Sequence, residues 1–245
     1  MRDVESAQIK VSVVGEPLDT AALSAALLEA GYEPQTQSAA PESFDADVRA
    51  VVIDAFGKDP AEAIARAHGH GCPVVLSCAR RLPKPRPSDV FYIEGGSGPL
   101  IQRLRADAYV SRPEDLAEAL DYIVNDERDL RAAGPLRLTF LGCTGLRHEM
   151  PFPIGVVFPL SATKATTLGR SSTADISIAS GTVARLHARV QCTGSRVLVE
   201  DLQSTNGTWS GGVLSQVHEI APGDELSIAG FFRMRLDGGA LGPYR

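Results

Sequence analysis

The 245-residue sequence predicts two domains, a parallel α/β sheet covered by helices followed by an all-β sandwich. Before Gly134-Pro135, short apolar runs alternate with segments of helical periodicity, which is typical of a parallel sheet buried on both faces. After these two residues, helical periodicity vanishes, and short alternating strands lie between Gly, Ser, Thr and Asp residues. We therefore expect the first domain at residues 1–126, a linker at 127–135 and the second domain at 136–245.

Composition narrows the class of protein. The chain is 44% hydrophobic and 22% charged, as in ordinary globular proteins. Its longest apolar runs are too short to span a bilayer, and the polar, acidic N-terminus does not resemble a secretory signal peptide. The four cysteines are scattered, without CxxC spacing or a neighbouring histidine cluster. We therefore expect a cytoplasmic protein that has reduced cysteines and binds neither metal nor membrane.

Charge is distributed unequally between the two halves. Residues 1–134 hold 14 basic and 22 acidic side chains, a net charge of −8, whereas residues 135–245 hold 10 and 8, a net charge of +2. The acidic half argues against binding of nucleic acid by the whole chain. The small basic excess of the second half is compatible with a small anionic ligand.

The first domain shows alternating strand and helix patterns. The predicted strands are Lys10–Val14, Ala50–Ile53, Pro73–Leu76 and Ala108–Val110, with a weak edge strand at Gln35–Gln37. The predicted helices run from a cap at Asp19 or Thr20 through Ala30, from Pro60 to His68, and from Glu114 to Val124. In the first helix, we expect Leu23, Leu27 and Leu28 to share the buried face.

Parallel sheets bind ligands beyond the carboxyl ends of their strands. The residues predicted to lie there are Gly15, Glu16, Asp54, Ser77 and Arg112. No Ser-His-Asp set and no carboxylate pair has catalytic spacing, so we expect no enzymatic activity and no cofactor.

This arrangement, with the segment Ala106–Pro113, resembles the receiver domain of response regulators, which has a flavodoxin-like fold. The resemblance implies that Asp54 stands at the phosphoacceptor position and Ser77 at the Ser/Thr switch position. Two features depart from it, because Gly15-Glu16 replaces the acidic pair that holds Mg²⁺, and Arg112 replaces a lysine. We interpret this as a degenerate receiver-like domain that is not phosphorylated, with an active receiver or another flavodoxin-like domain as alternatives.

The second domain contains nine predicted strands separated by turn residues. They are Arg137–Leu141, Val156–Leu160, Ala165–Leu168, Asp175–Ile178, His187–Gln191, Val197–Asp201, Thr208–Trp209, Glu225–Ile228 and Phe232–Leu236.

Four motifs within this domain indicate its family. They are Leu168-Gly169-Arg170 with Asp175-Ile176, Val183–Ala188, Asp201–Thr208, and Pro222–Leu226. In this order and spacing they resemble the forkhead-associated (FHA) domain over about residues 136–238. The resemblance implies an antiparallel β-sandwich whose loops at one end bind phosphothreonine peptides, with a small apolar niche for the γ-methyl group of threonine.

The resemblance also implies roles for individual residues. Five would bind the phosphopeptide: Arg170, Arg185, Ser204, Thr205 and Asn206. Arg170 supplies positive charge to the phosphate, and Arg185 supplies either a second positive charge or its backbone N–H. The two hydroxyl residues donate through hydroxyl and backbone groups, and the asparagine binds the peptide main chain and holds the neighbouring loop. Three residues would be structural: Gly169 allows a sharp turn, His187 ties the loops together, and Gly207 permits the turn after the asparagine. Trp209 is expected to pack.

Two positions depart from the FHA pattern. Ala184 stands where the family has a serine whose hydroxyl bonds the phosphate, and Gly211 stands where it often has asparagine. Loss of one hydrogen bond to a charged group costs about 1.5–3 kcal/mol, or roughly 10–150-fold in affinity. Thr182 lies nearby, but nothing in the sequence shows that it replaces the serine. The departure at Ala184 therefore predicts either a weakened site or a partner without phosphate.

We expect a bacterial-type signalling adaptor that binds a phosphothreonine-containing partner, with a Ser/Thr kinase or its substrate as candidates. The alternatives are a phosphate-independent scaffold protein, and a phospho-accepting response regulator with an FHA output domain.

Overall fold

The computed structural model describes residues 9–78, 104–124, 135–144, 150–193 and 196–238, except for the side chains of residues 18 and 19. These residues divide into two compact units, 9–78 with 104–124, and 135–238. The predicted linker lies almost wholly outside the described residues, so the domain limits stay a prediction.

The first unit is built on five strands: β1 (Lys10–Val14), β2 (Glu33–Gln37), β3 (Val48–Asp54), β4 (Val74–Ser77) and β5 (Ala108–Val110). Their spatial order is β2-β1-β3-β4-β5, and all neighbours are parallel. All residues of β4 and β5 are buried, as expected for a parallel sheet covered on both faces. The parallel sheet predicted from the sequence is therefore present, and the predicted edge strand is β2.

Among the described residues, three helices accompany this sheet: α1 (Pro17–Glu29), α2 (Pro60–Gly69) and α3 (Leu116–Val124), the last preceded by a 3-10 turn at Pro113–Asp115. The prediction that Asp19 or Thr20 caps α1 is wrong. The helix begins at Pro17, whose missing N–H and fixed φ suit the first helical position, and the Thr20 hydroxyl donates to the carbonyl of Glu16 at 3.2 Å.

The buried face of α1 is narrower than predicted. Leu23 and Leu27, four residues apart, are buried, but Leu28 is 62% exposed. The next residue along a helix lies about 100° around the axis, which carries Leu28 out of the buried stripe.

The second unit contains eleven strands. They are β6 (Arg137–Cys143), β7 (Val157–Pro159), β8 (Thr166–Gly169), β9 (Ile176–Ser177), β10 (Ala188–Thr193), β11 (Arg196–Asp201), β12 (Thr208–Ser210), β13 (Val213–Leu214), β14 (Val217–Ile220), β15 (Glu225–Ile228) and β16 (Phe232–Asp237). They form two sheets, β7-β6-β16-β15-β12-β13 and β14-β11-β10-β8-β9. All pairs are antiparallel except β8 with β9. The predicted all-β sandwich is confirmed, and the prediction missed β13 and β14.

The core of the sandwich lies between the two sheets. Phe140, Phe232 and Met234 from one sheet and Val190 and Val199 from the other are all buried in a single hydrophobic cluster. In β10, buried and exposed residues alternate strictly, so one face of that strand meets the core and the other meets solvent.

Three connections of this sandwich carry the sequence motifs. We call them the arginine loop (residues 170–175, between β8 and β9), the histidine loop (178–187, between β9 and β10) and the asparagine loop (202–207, between β11 and β12). None of the helices in the described part of the chain has the length and apolar character needed to traverse a bilayer.

Candidate functional site

Hydrogen bonds join the three loops into one cluster. The arginine loop is bound to the histidine loop by the backbone N–H groups of Arg170 and Ser171, which donate to the carbonyls of Ala184 and Arg185 at 2.8 and 3.0 Å. The asparagine loop is bound to the histidine loop through Asn206. The motifs, separate in sequence, therefore meet at one place in the fold.

Gly169 sits where two backbone segments touch. A Cβ atom at this position would lie 2.3 Å from the carbonyl oxygen of Arg185, far closer than any real contact. Its φ does not fall in the left-handed region. The glycine is therefore required for close approach of the arginine and histidine loops, and the expected sharp turn is not its reason.

Arg170 is exposed, and one nitrogen of its guanidinium group is held by a backbone carbonyl. Its Nε donates to the carbonyl oxygen of Val183 at 3.2 Å, while its two Nη nitrogens have no hydrogen-bond partner among the described residues. A guanidinium held in this way presents the N–H groups of its two Nη nitrogens to an approaching anion.

Arg170 and Arg185 also differ from most neighbouring cations in their charge environment. Most described Lys and Arg side chains of the second unit pair with a carboxylate. These pairs are Lys164–Asp175, Arg189–Glu200, Arg196–Glu219, Arg233–Glu225 and Arg235–Asp237. Arg170 and Arg185 are exposed and have no such partner among the described residues. Two uncompensated positive charges therefore lie on adjoining loops.

Asn206 links two loops. Its side-chain Nδ2 donates to the carbonyl oxygen of Thr182 at 2.7 Å, and its own carbonyl accepts from Trp209 Nε1 at 3.3 Å. Holding the neighbouring loop was one of the two roles expected for this residue.

Ser204 and Thr205 are placed differently from each other. The Ser204 hydroxyl donates to Asp201 Oδ2 at 2.7 Å and accepts from the backbone N–H of Gly207 at 2.9 Å. Thr205, at the tip of the same loop, is exposed. Of the two predicted hydroxyl donors, only Thr205 is therefore turned toward solvent with its hydroxyl unused by the loop.

His187 lies inside the cluster, fully buried. Its Nδ1 accepts from the backbone N–H of Ala184 at 3.2 Å, and its Nε2 donates to the carbonyl of Gly207 at 3.0 Å. Burial lowers the pKa of the imidazole, against the opposing effects of the Gly207 carbonyl and Asp201. His187 is thus a neutral side chain that bridges the histidine and asparagine loops.

Gly207 has a positive φ of 73°, and a Cβ there would lie 2.2 Å from Leu214 Cδ1. The backbone conformation therefore favours glycine at the end of the asparagine loop, whereas the exposed Leu214 side chain could move to make room for a Cβ.

The two departures from the FHA pattern have different surroundings. Thr182 is buried, and its hydroxyl lies 2.9 Å from Ser180 Oγ, so it does not supply the hydroxyl that is missing at Ala184. Gly211 has a φ of 58°, and nothing lies within 4 Å of the place of its Cβ. An asparagine would have room there.

The residues of the predicted receiver-like site lie at or just after the carboxyl ends of the strands of the first unit's sheet. Asp54 and Ser77 are register partners at the ends of β3 and β4, and both are buried, Asp54 with 4% of its surface exposed. A Cβ on Gly15 would lie 2.8 Å from Asp54 Cβ, so no acidic side chain fits there. Glu16 is exposed and precedes α1.

Arg112, the fourth residue of that set, forms a two-pronged ion pair within its own turn. Its Nε and Nη2 donate to the two carboxylate oxygens of Asp115 at 2.9 and 2.6 Å.

Comparison with known families identifies the domain that carries the three loops. Residues 166–229, roughly a quarter of the chain, match the family profile of the FHA domain. The FHA domain expected from the four motifs is thus confirmed over these residues, and FHA domains are phosphothreonine-binding signalling modules. The receiver-like interpretation of the first unit stays a prediction.

Solved structures show likenesses of the same kind. The FHA domain of the CT664 protein from Chlamydia trachomatis is 23% identical, with 42% of this chain and 96% of that chain covered, at a TM-score of 0.36. EmbR of Mycobacterium tuberculosis, solved with a low-affinity phosphopeptide, is 23% identical, with 53% of this chain and 32% of that chain covered, at a TM-score of 0.35. The FHA domain of an Arabidopsis thaliana hypothetical protein is 19% identical, with 46% of this chain and 92% of that chain covered, at a TM-score of 0.37. No curated protein matches the chain.

Proposed function

We propose that this chain is a non-enzymatic signalling adaptor that binds a phosphothreonine-containing segment of a partner protein through its FHA domain. The observation that carries the proposal is the pair of exposed arginines, Arg170 and Arg185, which lie on adjoining loops and have no carboxylate partner among the described residues. A phosphothreonine carries a charge of about −1.5 to −2 at pH 7 and three acceptor oxygens, so it complements such a pair.

Each predicted site residue then has a task. Arg170 supplies the main counter-charge, Arg185 a second one, and the exposed Thr205 a hydroxyl. His187, Asn206 and the two glycines hold the loops at the required spacing. Ser204 belongs with this supporting group, because its hydroxyl already donates to Asp201 and accepts from Gly207.

The site as proposed has one hydrogen bond fewer than the full FHA pattern. Ala184 offers no hydroxyl, and that of Thr182 lies 2.9 Å from Ser180 Oγ. We therefore expect weak phosphopeptide binding, roughly 10–150-fold below that of a complete site.

The same alanine supports the second candidate function, a scaffold that binds its partner without phosphate. In that case, Arg170 and Arg185 would attract an acidic segment of the partner, and phosphorylation of that segment would not change its affinity.

For the first unit we propose a flavodoxin-like, receiver-like domain that does not accept a phosphoryl group. The strand order β2-β1-β3-β4-β5 supports the flavodoxin-like part. The burial of Asp54 and the contact between Gly15 and Asp54 support the absence of phosphorylation. We further propose a bacterial cytoplasmic protein, with a Ser/Thr kinase or the substrate of one as partner.

A phosphothreonine peptide library, screened with matched unphosphorylated peptides, tests this proposal. The selected peptide is then compared with its phosphoserine version and measured against Arg170→Ala. Arg196→Ala is the matched control, since Arg196 is an exposed arginine of the same unit that pairs with Glu219. Phosphate-dependent binding lost only in Arg170→Ala supports the proposal, and equal binding of phosphorylated and plain peptides supports the scaffold.

A further inference from the structure

We infer that Asp201 is a positioning residue of the proposed phosphothreonine site, because its carboxylate holds the turn that presents Thr205. The inference rests on the proposed function for the identity of the ligand, phosphothreonine. The hydrogen bonds of the turn are present without any ligand. Asp201 is the last residue of β11 and the first residue before the asparagine loop.

The carboxylate of Asp201 accepts three hydrogen bonds from its own segment. Oδ1 accepts from the backbone N–H of Ser204 at 2.8 Å. Oδ2 accepts from the hydroxyls of Ser204 and Thr208 at 2.7 and 2.8 Å. One side chain thus binds both Ser204, in the middle of the asparagine loop, and Thr208, the first residue of β12 that follows the loop.

A further hydrogen bond, accepted by the Ser204 hydroxyl, closes the turn. The Ser204 hydroxyl, oriented by donation to Asp201, accepts from the backbone N–H of Gly207 at 2.9 Å. The carbonyl of Gly207 accepts from His187 Nε2 at 3.0 Å. Asp201 therefore reaches the histidine loop through a chain of three bonds, and Thr205 is left at the outside of the closed turn.

The carboxylate works in this place as an anion. It is 7% exposed, and burial alone raises its pKa, but the hydrogen bonds from Ser204 and Thr208 bring the pKa below its usual value. His187 Nε2 lies 3.8 Å from Oδ2. Hydrogen bonds to an anionic acceptor are stronger than neutral ones, which suits a side chain that must fix a loop.

Asp201→Asn tests the inference, with Glu200→Gln as the matched control. Glu200 is the preceding residue of the same strand, with a half-exposed side chain paired to Arg189. Two measurements are made on the full chain: amide hydrogen exchange of Ser204 and Gly207 without ligand, and affinity for the phosphothreonine peptide selected from the library.

We expect Asp201→Asn to speed exchange of these two amides by about tenfold or more, to leave the central amides of β10 and β11 protected, and to weaken phosphopeptide binding by about tenfold. Glu200→Gln should change neither quantity. Unchanged exchange at Ser204 and Gly207 would overturn the inference, as would loss of protection throughout the sandwich, because the role would then be general stability.

Two further outcomes are separated by design. If wild type binds no phosphopeptide, the proposed function fails, while the exchange of the Ser204 and Gly207 amides still decides whether Asp201 holds the turn. If Asp201→Asn does not fold, Ser204→Ala takes its place. Faster exchange confined to the Gly207 amide together with weaker phosphopeptide binding supports the inference. If Ser204→Ala changes neither the exchange nor the binding, the inference is contradicted.

Discussion

The side-chain amide of Asn206 donates to the backbone carbonyl of Thr182, 24 residues earlier in the sequence, at 2.7 Å, and this bond joins the asparagine loop to the histidine loop. Thr182 precedes the segment that carries Ala184 and Arg185. The position of Arg185 relative to Thr205 therefore depends on this side-chain donor together with the bond between His187 and the Gly207 carbonyl.

Removing that donor should loosen the site. Asn206→Asp keeps the shape of the side chain but replaces the donor with an acceptor that faces a carbonyl. We expect a loss of about 1–3 kcal/mol in the free energy of unfolding and weaker phosphopeptide binding. Urea unfolding and fluorescence polarisation measure the two effects. Gln191→Glu, the same amide-to-acid change at an exposed position of β10, is the control. An Asn206→Asp variant as stable and as tight as wild type would contradict the role of the bond.

Restoring the missing hydroxyl should tighten the site. Ala184→Ser should strengthen phosphopeptide binding by roughly 1–2 kcal/mol, a discounted value for one charge-assisted hydrogen bond. Ala184→Val, which adds bulk but no hydroxyl, is the control. If Ala184→Ser leaves the affinity for phosphorylated and plain peptides unchanged and equal, the scaffold function is favoured.

The buried imidazole of His187 should make stability depend on pH. Because its folded-state pKa is lowered below that of the unfolded chain, near 6.5, the unfolded state binds the proton first as pH falls. The free energy of unfolding should therefore decline as pH falls through the unfolded value, and level off below the folded one. Urea unfolding of wild type and His187→Asn across pH 5 to 8 checks this. A slope that is the same in both proteins would show that His187 is not its source.

The first unit should not take up a phosphoryl group. Asp54 is buried and Gly15 leaves no space for an acidic neighbour to hold Mg²⁺. Incubation with a small phosphodonor and Mg²⁺, followed by intact mass measurement, should show no added mass. A gain of one phosphoryl group that disappears in Asp54→Asn would establish an active receiver.

Sequence reasoning found most strands, because their apolar alternation is a local signal. It missed β13, since Val213–Leu214 is only two residues long and exposed, and β14, which begins at Val217 after two intervening residues. It also grouped Ser204 with the phosphate ligands. The hydroxyl's bonds to Asp201 and Gly207 depend on the shape of the turn, which the order of residues does not reveal.

The glycines show the same limit. A glycine at position 169 was predicted from its motif, but its reason, contact with the Arg185 carbonyl, depends on how two loops pack. Likewise, Arg170 and Arg185 could be named from the sequence, whereas the finding that no described carboxylate pairs with them required the folded positions of the neighbouring acids.

Phosphate dependence through Arg170 is the central claim, and fluorescence polarisation with paired phosphothreonine and plain peptides tests it most directly. We predict that wild type binds only the phosphorylated peptide, that Arg170→Ala abolishes this binding because the main counter-charge is lost, and that Arg196→Ala binds as wild type does. Wild type that binds both peptides equally, or Arg170→Ala that keeps the phosphate-dependent affinity, would contradict the account.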